Sequence, residues 1–189
     1  MRVLAGHLAC GFPRNTSVLD VGTGDGSIAN AIMLLRPDIT IEGIDVLLRP
    51  SVLIPVRLFD GKRLPFADKT FDAVAFVDVL HHIDEPLPML IEATRVARRW
   101  VIIKDHLQEG MLARTRLRLM DWVGNYGHDV RLPCKYLRKR EWQSLFASVG
   151  LESEHWMEQL DLYSPVLSWL FERRLHFIAR MAVASGCSD

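Results

Sequence analysis

From residue 17 onward, short apolar runs alternate with stretches in which apolar residues recur every three or four positions, and breaker-rich turns separate the two. That alternation predicts a parallel sheet whose strands are joined by crossover helices, an α/β chain. The run SVLDV at 17–21 reads as a buried strand. DGSIANAIMLL at 25–35 reads as the helix after it, with Asp25 in an acidic first turn and Pro37 just past its end. A second strand at 40–44 follows the turn at 37–38. Between Asp45 and Asp60 the chain carries Pro50 and Pro55, which oppose a regular crossover helix, so an irregular crossing is expected to end in a short strand at 56–59. FDAVAFV at 71–77 is the fourth strand. A helix over 85–97 comes next, with Asp84 as N-cap and Pro86 in its first turn, where a missing N–H costs nothing.

WVIIK at 100–104 is strand five, near-continuously apolar as parallel strands are. At 111–123 the apolar positions fit one helix face, with Arg114, Arg116 and Arg118 among them and Gly124 as the stop. The polar, breaker-rich stretch at 125–136 reads as a loop over a site. A helix at 138–149 closes at Gly150, and a strand at 151–157 follows. The tail leaves two readings open, a helix over 166–184 or a loop followed by a strand at 175–181. Ahead of the first strand there are sixteen residues, with Pro13 limiting any helix they form.

Composition narrows the field. At 189 residues the chain is of one-domain size, and 49% hydrophobic with 24% charged residues is ordinary for a globular protein. Twenty-three basic residues balance twenty-three acidic ones, so no global field recruits nucleic acid. Cys10, Cys134 and Cys187 lack the spacing of a zinc site or a disulfide framework, which points to a reducing cytoplasm. No export signal is legible at the start, and no run reaches the roughly 20 apolar residues that span a bilayer.

The chemistry concentrates at DVGTGDG, residues 20–26, between a predicted strand and a predicted helix. Alternate glycines let the backbone turn sharply and let a ligand approach the main chain, while the helix start behind them offers free N–H groups. A dinucleotide fingerprint would need glycine where Ser27 stands, and no Gly-Lys-Ser/Thr follows for a P-loop. Asp45, one strand away, has the acceptor oxygens that suit a ribose diol.

VLDVGTGDG resembles the first motif of class I S-adenosylmethionine-dependent methyltransferases, and the order of later motifs agrees. The chain is similar over about 17–105 to the UbiE-type, or methyltransferase 11, subgroup: EGIDV holds the acidic residue of strand two, FDGKRLPFADKTFDAV the segment before strand four, FVDVLHHI its end, and WVIIKD strand five. The resemblance implies a Rossmann-like methyltransferase fold, a mostly parallel seven-stranded sheet with helices on both faces, in a single domain. Residues 17–105 would form its cofactor half, and 106–189 the substrate-side helix, lid loop and last strands. It implies S-adenosyl-L-methionine as cofactor, with Asp20, Gly22, Thr23 and Gly24 at the methionine end, Asp45 and Val46 at the ribose and adenine, Asp60 and Gly61 at the adenine amine, and Asp78 and Val79 completing the pocket. Leu47 or Leu48 could flank the adenine ring.

On the acceptor side, Lys104-Asp105-His106 lies where α/β sheets place their ligands, at the carboxyl edge. A neutral imidazole takes a proton near neutral pH, so His106 supported by Asp105 is the expected base for a small hydroxyl-bearing acceptor. His81-His82 read first as packing residues. A metal set of His106, Asp121, His128 and Asp129 is disfavoured for want of a helical histidine pair, and no metal is expected. The arginines at 114, 116 and 118 with 138–140 read first as a solvated face. O-transfer to a small molecule is the first expectation, with N- or C-transfer, or a cofactor-binding partner subunit without activity, as the alternatives. A homodimer is compatible with all of these, and no nucleic-acid partner is expected.

Overall fold

The apolar runs become strands wherever both faces are covered. In the computed structural model, the described residues are 1–110, 113–124, 135–162 and 175–184, with the backbone alone described over 120–124. Helix α1 spans Arg2–Gly11 and strand β1 Ser17–Val21, followed by α2 (Ser27–Leu35), β2 (Thr40–Asp45), β3 (Val56–Leu58) and β4 (Phe71–Val77). A single 3₁₀ turn, Leu80–His82, leads to α3 (Pro86–Val96), β5 (Ala97–His106), α4 (Ala113–Gly124), α5 (Lys139–Ser148), β6 (Leu151–Met157) and β7 (His176–Val183). The strands form one seven-stranded sheet in the order β3-β2-β1-β4-β5-β7-β6. β1 to β5 pair in parallel, whereas β7 runs antiparallel to both its neighbours.

Two apolar cores cover the faces of this sheet. On one, Leu4, Leu8 and Phe12 of the N-terminal segment pack with Ala29 and Ile32 of α2 against Val18, Ile41 and Ile102. On the other, Leu90 and Ala93 of α3 and Trp142 and Phe146 of α5 pack against Leu19, Val74, Val101 and Phe177. Parallel strands buried on both faces explain why their sequences are continuous rather than alternating.

Several expectations need correction at their ends. The limit at Pro13 holds, since α1 ends at Gly11 ahead of it, with Leu4, Ala5, Leu8 and Ala9 buried. The second helix begins at Ser27 because the glycine turn extends through Gly26, which sits at φ 76°. Asp84 is not the N-cap of α3: Glu85 is, without a side-chain cap bond, and Pro86 opens the helix as expected. Strand five runs from Ala97 to His106, because the chain turns from α3 directly into pairing with β4 and β7. The Lys104-Asp105-His106 triplet is therefore buried strand rather than solvated loop. Within the described part of the tail a strand is present at His176–Val183, and the helical alternative over 166–174 lies outside the described residues. Of the loop expected over a site at 125–136, residues 125–134 likewise lie outside the described residues.

Candidate cofactor and acceptor site

β2 lies on one side of β1 and β4 on the other. Strand order reverses at β1, so the carboxyl ends of β1 and β4 border the crevice in which open α/β sheets hold ligands. The glycine loop rises from that point. Gly22, Gly24 and Gly26 all adopt positive φ (76°, 63° and 76°), a region in which a side chain is strained. Gly22 N–H and Thr23 N–H donate to Ile44 O at 2.7 and 3.3 Å, which ties the loop to β2. A Cβ at Gly22 would lie 2.6 Å from Val79 Cγ2, so that glycine is required by packing against the β4 end. A Cβ at Gly24 would meet no protein atom within 4 Å, and this position faces open space.

Three carboxylates surround the loop. Asp45 is buried at the end of β2 and accepts from Gly24 N–H at 2.8 Å and Leu47 N–H at 3.0 Å, one bond on each oxygen. A carboxylate offers about four acceptor positions, so Asp45 shapes the loop and keeps acceptor capacity. Asp20 is buried beneath the loop and accepts from Thr23 Oγ1–H at 2.6 Å through Oδ2, while its Oδ1 accepts no hydrogen bond from the described residues. Burial pushes the Asp20 carboxyl up to about 6, against the lowering effect of the Thr23 bond, and Asp45 adds repulsion. Asp60 is exposed, and its Oδ1 accepts from Lys62 and Arg63 N–H at 2.8 and 3.1 Å, the geometry of a local turn. A Cβ at Gly61 would lie 3.1 Å from Val46 Cγ1, so 60–61 and Val46 meet across the crevice edge. Val46, Leu47 and Leu48 are exposed beside them.

At the ends of β4 and β5 a second constellation forms. Asp78 holds the left-handed conformation at φ 57°, its N–H bonded to Lys104 O at 2.9 Å. Lys104 is almost fully buried, and its ammonium donates to both Asp78 oxygens at 2.5 and 2.6 Å. Asp105 is fully buried. It accepts from Leu80, His81 and His106 N–H at 3.0, 3.3 and 2.7 Å, and its Oδ1 lies 2.8 Å from His81 Nδ1. The His106 ring stands edge-on to His81 and Tyr136 and tilts onto His176. Its Nδ1 is 3.4 Å from His81 Nδ1 and 3.6 Å from both Asp78 Oδ1 and Asp105 Oδ1. Burial raises both carboxyls, yet His81 with the His106 bond for Asp105, and Lys104 then His106 for Asp78, pull each below its ordinary range.

The sequence-derived site thus falls into two groups. Asp20, Gly22, Thr23, Gly24, Asp45, Val46 and Gly61 gather at one end of the crevice, and Asp78 and Val79 border it from β4. Asp105 and His106 are brought to the same edge, but the carboxylate of Asp105 engages the His81 ring rather than the His106 ring. His81 and Lys104 are the residues that sequence reasoning left aside; His81 finds its carboxylate 24 positions away, and no local signal encodes that contact. Among the described residues, Asp78, His81 and His106 offer ligand atoms within 4.8 Å of one another. The ammonium of Lys104 already takes both oxygens of Asp78, so the group is a charge network with its own cation.

Residues 19–102 match the methyltransferase 11 family, described as a methyltransferase domain. The chain is 33% identical over 97 residues to the ubiquinone/menaquinone biosynthesis C-methyltransferase UbiE of Desulfotalea psychrophila, covering 47% of this chain and 39% of that protein. It is 30% identical over 89 residues to the demethylmenaquinone methyltransferase of Thermotoga maritima, covering 43% and 39%. The chain thus spans about two-fifths of the length of these relatives. A SAM-dependent methyltransferase from Aquifex aeolicus superposes with a TM-score of 0.63 at 18% identity, covering 95% of this chain and 89% of the other. Residues 19–102 thus match a methyltransferase domain, and the chain has the Rossmann-like methyltransferase fold. The matched half is similar to UbiE-type C-methyltransferases.

Proposed function

We propose that the chain transfers a methyl group from S-adenosylmethionine to a ring carbon of a small hydroxyl-bearing aromatic acceptor of the demethylmenaquinol type. The observation that carries the cofactor end is the buried Asp20 Oδ1, an acceptor without a hydrogen bond from the described residues, under a glycine loop that opens on empty space. A buried carboxylate oxygen left unbonded is costly, and an α-ammonium group is the donor it fits. Asp20 then holds the ammonium, Gly22, Thr23 and Gly24 line the methionine moiety, and Asp45 accepts from the ribose hydroxyls. Val46 packs on the adenine, Asp60 and Gly61 reach its amine, and the backbone of Asp78 and Val79 closes the pocket. The bound cofactor supplies an electrophilic methyl on sulfur.

Carbon replaces the hydroxyl oxygen of the first expectation, because both relatives that match by sequence carry names of quinone C-methylation or quinone-precursor methylation. A ring carbon becomes nucleophilic when a neighbouring hydroxyl loses its proton, so a base is still required. His106, in van der Waals reach of Tyr136 and His81 at the carboxyl edge, is that base in this reading. Among the described residues no helix is long and apolar enough to cross a membrane.

The test has two arms. Calorimetric titration with S-adenosylmethionine and S-adenosylhomocysteine is expected to give one site per chain. Incubation with methyl-labelled S-adenosylmethionine and 2-prenyl-1,4-naphthohydroquinone, kept reduced with dithiothreitol, is expected to place label on the ring carbon. Absence of cofactor binding overturns the whole reading; binding with label on oxygen overturns the ring carbon as acceptor atom, and binding with no transfer overturns the acceptor and leaves a cofactor-binding partner subunit.

A further inference from the structure

The distances at the β4 and β5 ends carry a further step, which rests on the reading of His106 as base. A carboxylate-backed imidazole needs one nitrogen held as N–H toward a negative group, so that the other keeps its lone pair for the substrate. Asp105 Oδ1 also lies 3.6 Å from His106 Nδ1, but its roughly four acceptor positions already face three backbone amides and His81 Nδ1. Asp78 differs. Its carboxylate meets only the Lys104 ammonium among the hydrogen bonds described, lies partly open to the crevice, and points Oδ1 toward His106 Nδ1. Both groups that face His106 Nδ1 at 3.6 Å are anionic, which favours a proton on that nitrogen.

We infer that Lys104 and Asp78 are positioning residues for His106: the buried ammonium fixes the carboxylate, the carboxylate orients the imidazole with Nδ1 protonated, and Nε2 takes the acceptor's hydroxyl proton. The 3.6 Å gap from His106 to Asp78 is longer than a hydrogen bond and closes when the acceptor binds, as catalytic contacts commonly do. Lys104 has a second effect, because Asp78 without it would lose the ammonium that takes both its oxygens. The left-handed backbone of Asp78 fits this role, since strain of this kind persists where the surroundings over-determine a residue. The remaining groups around His106 are His81, His176 and Tyr136, with Asp105 fixing His81 below.

The proton balance is simple. The acceptor's O–H bond breaks with its electron pair on oxygen, and a new N–H bond forms at His106 Nε2, giving an imidazolium whose Nδ1–H faces Asp78. The ring carbon then bonds the methyl while the carbon–sulfur pair stays on sulfur. The ring C–H proton leaves to water, returning its pair to the ring, and the imidazolium proton returns to oxygen, so that one proton is released per methyl transferred.

Three variants of the full chain test this: Lys104→Met, Asp78→Asn and the double substitution, assayed with S-adenosylmethionine and 2-prenyl-1,4-naphthohydroquinone. Each single change is expected to lower kcat at least ten-fold with the acceptor KM within about three-fold. The double variant should be no worse than the poorer single, because the residues act as one unit. Additive losses, an unchanged kcat, or a fall in cofactor affinity alone would each overturn the inference. Independently of folding of the variants and of the acceptor's identity, ¹⁵N-histidine NMR of the parent decides the tautomer: an Nδ1–H, bare-Nε2 signal for His106 supports the arrangement, and an Nε2–H tautomer rejects it. A parent that methylates nothing while showing the Nδ1–H form would refute the acceptor reading and leave the positioning intact.

Discussion

The two ends of the crevice are built by different means. At the β1 and β2 ends, backbone does the shaping: three glycines at positive φ fold over two aspartates within 26 residues of chain, and open space remains above Gly24. At the β4 and β5 ends, side chains do it: Asp78, His81, Lys104, Asp105 and His106, with Tyr136 and His176, converge from four segments into a buried charge network. A backbone loop is a property of local sequence and leaves room for a ligand. A side-chain network is a property of the assembled sheet, and it stabilises that assembly only while every member stays paired.

The largest effect is expected at Asp105. Asp105→Ala would leave three buried amide donors and the His81 ring without their acceptor, and we expect a loss of about 3–5 kcal/mol in urea unfolding. A loss below about 1 kcal/mol would mean that the network is not structural. Gly24→Val probes the other end. With no protein atom near its Cβ but a φ of 63°, it should cost about 1–2 kcal/mol of stability through backbone strain and abolish cofactor binding in calorimetry. Binding that survives would take the loop out of the site.

A smaller effect sharpens the same contrast through pH. The Asp20 carboxyl is raised to about 6 by burial, so below that pH it is largely neutral and above it anionic. An ammonium-bearing ligand prefers the anion, and affinity should therefore rise with pH through about 6 and level off beyond it. Between pH 5 and pH 7.5 a gain approaching ten-fold is expected, about one pKa unit's worth of interaction. Asp20→Asn should flatten that dependence, whereas an unchanged slope would assign it to another group.

Legibility in the sequence follows the same division. β4 and β6 matched their expected bounds end to end, at Phe71–Val77 and Leu151–Met157, and the glycine motif gave its loop correctly. These are features encoded within a few neighbouring residues. The extension of β5 to His106 was not legible, because pairing with β7 more than seventy residues later buries the charged triplet that composition marks as exposed. The partner of Asp105 was misplaced for the same reason. Adjacency suggested His106, yet the carboxylate turns to His81 across the strand ends. Buried Lys104 has no sequence signature at all, since only the fold brings it onto Asp78.

Under the proposed function the loop between β1 and α2 holds the cofactor, with Asp45 at the ribose. Calorimetric titration of the parent and Asp45→Ala with S-adenosylmethionine tests it most directly. Removal of hydrogen bonds to a charged acceptor, each worth roughly 1.5–3 kcal/mol, together with the lost support of Gly24 and Leu47 N–H, predicts affinity weaker by ten-fold or more in a chain that still unfolds cooperatively. Equal affinity for the two proteins would contradict the account.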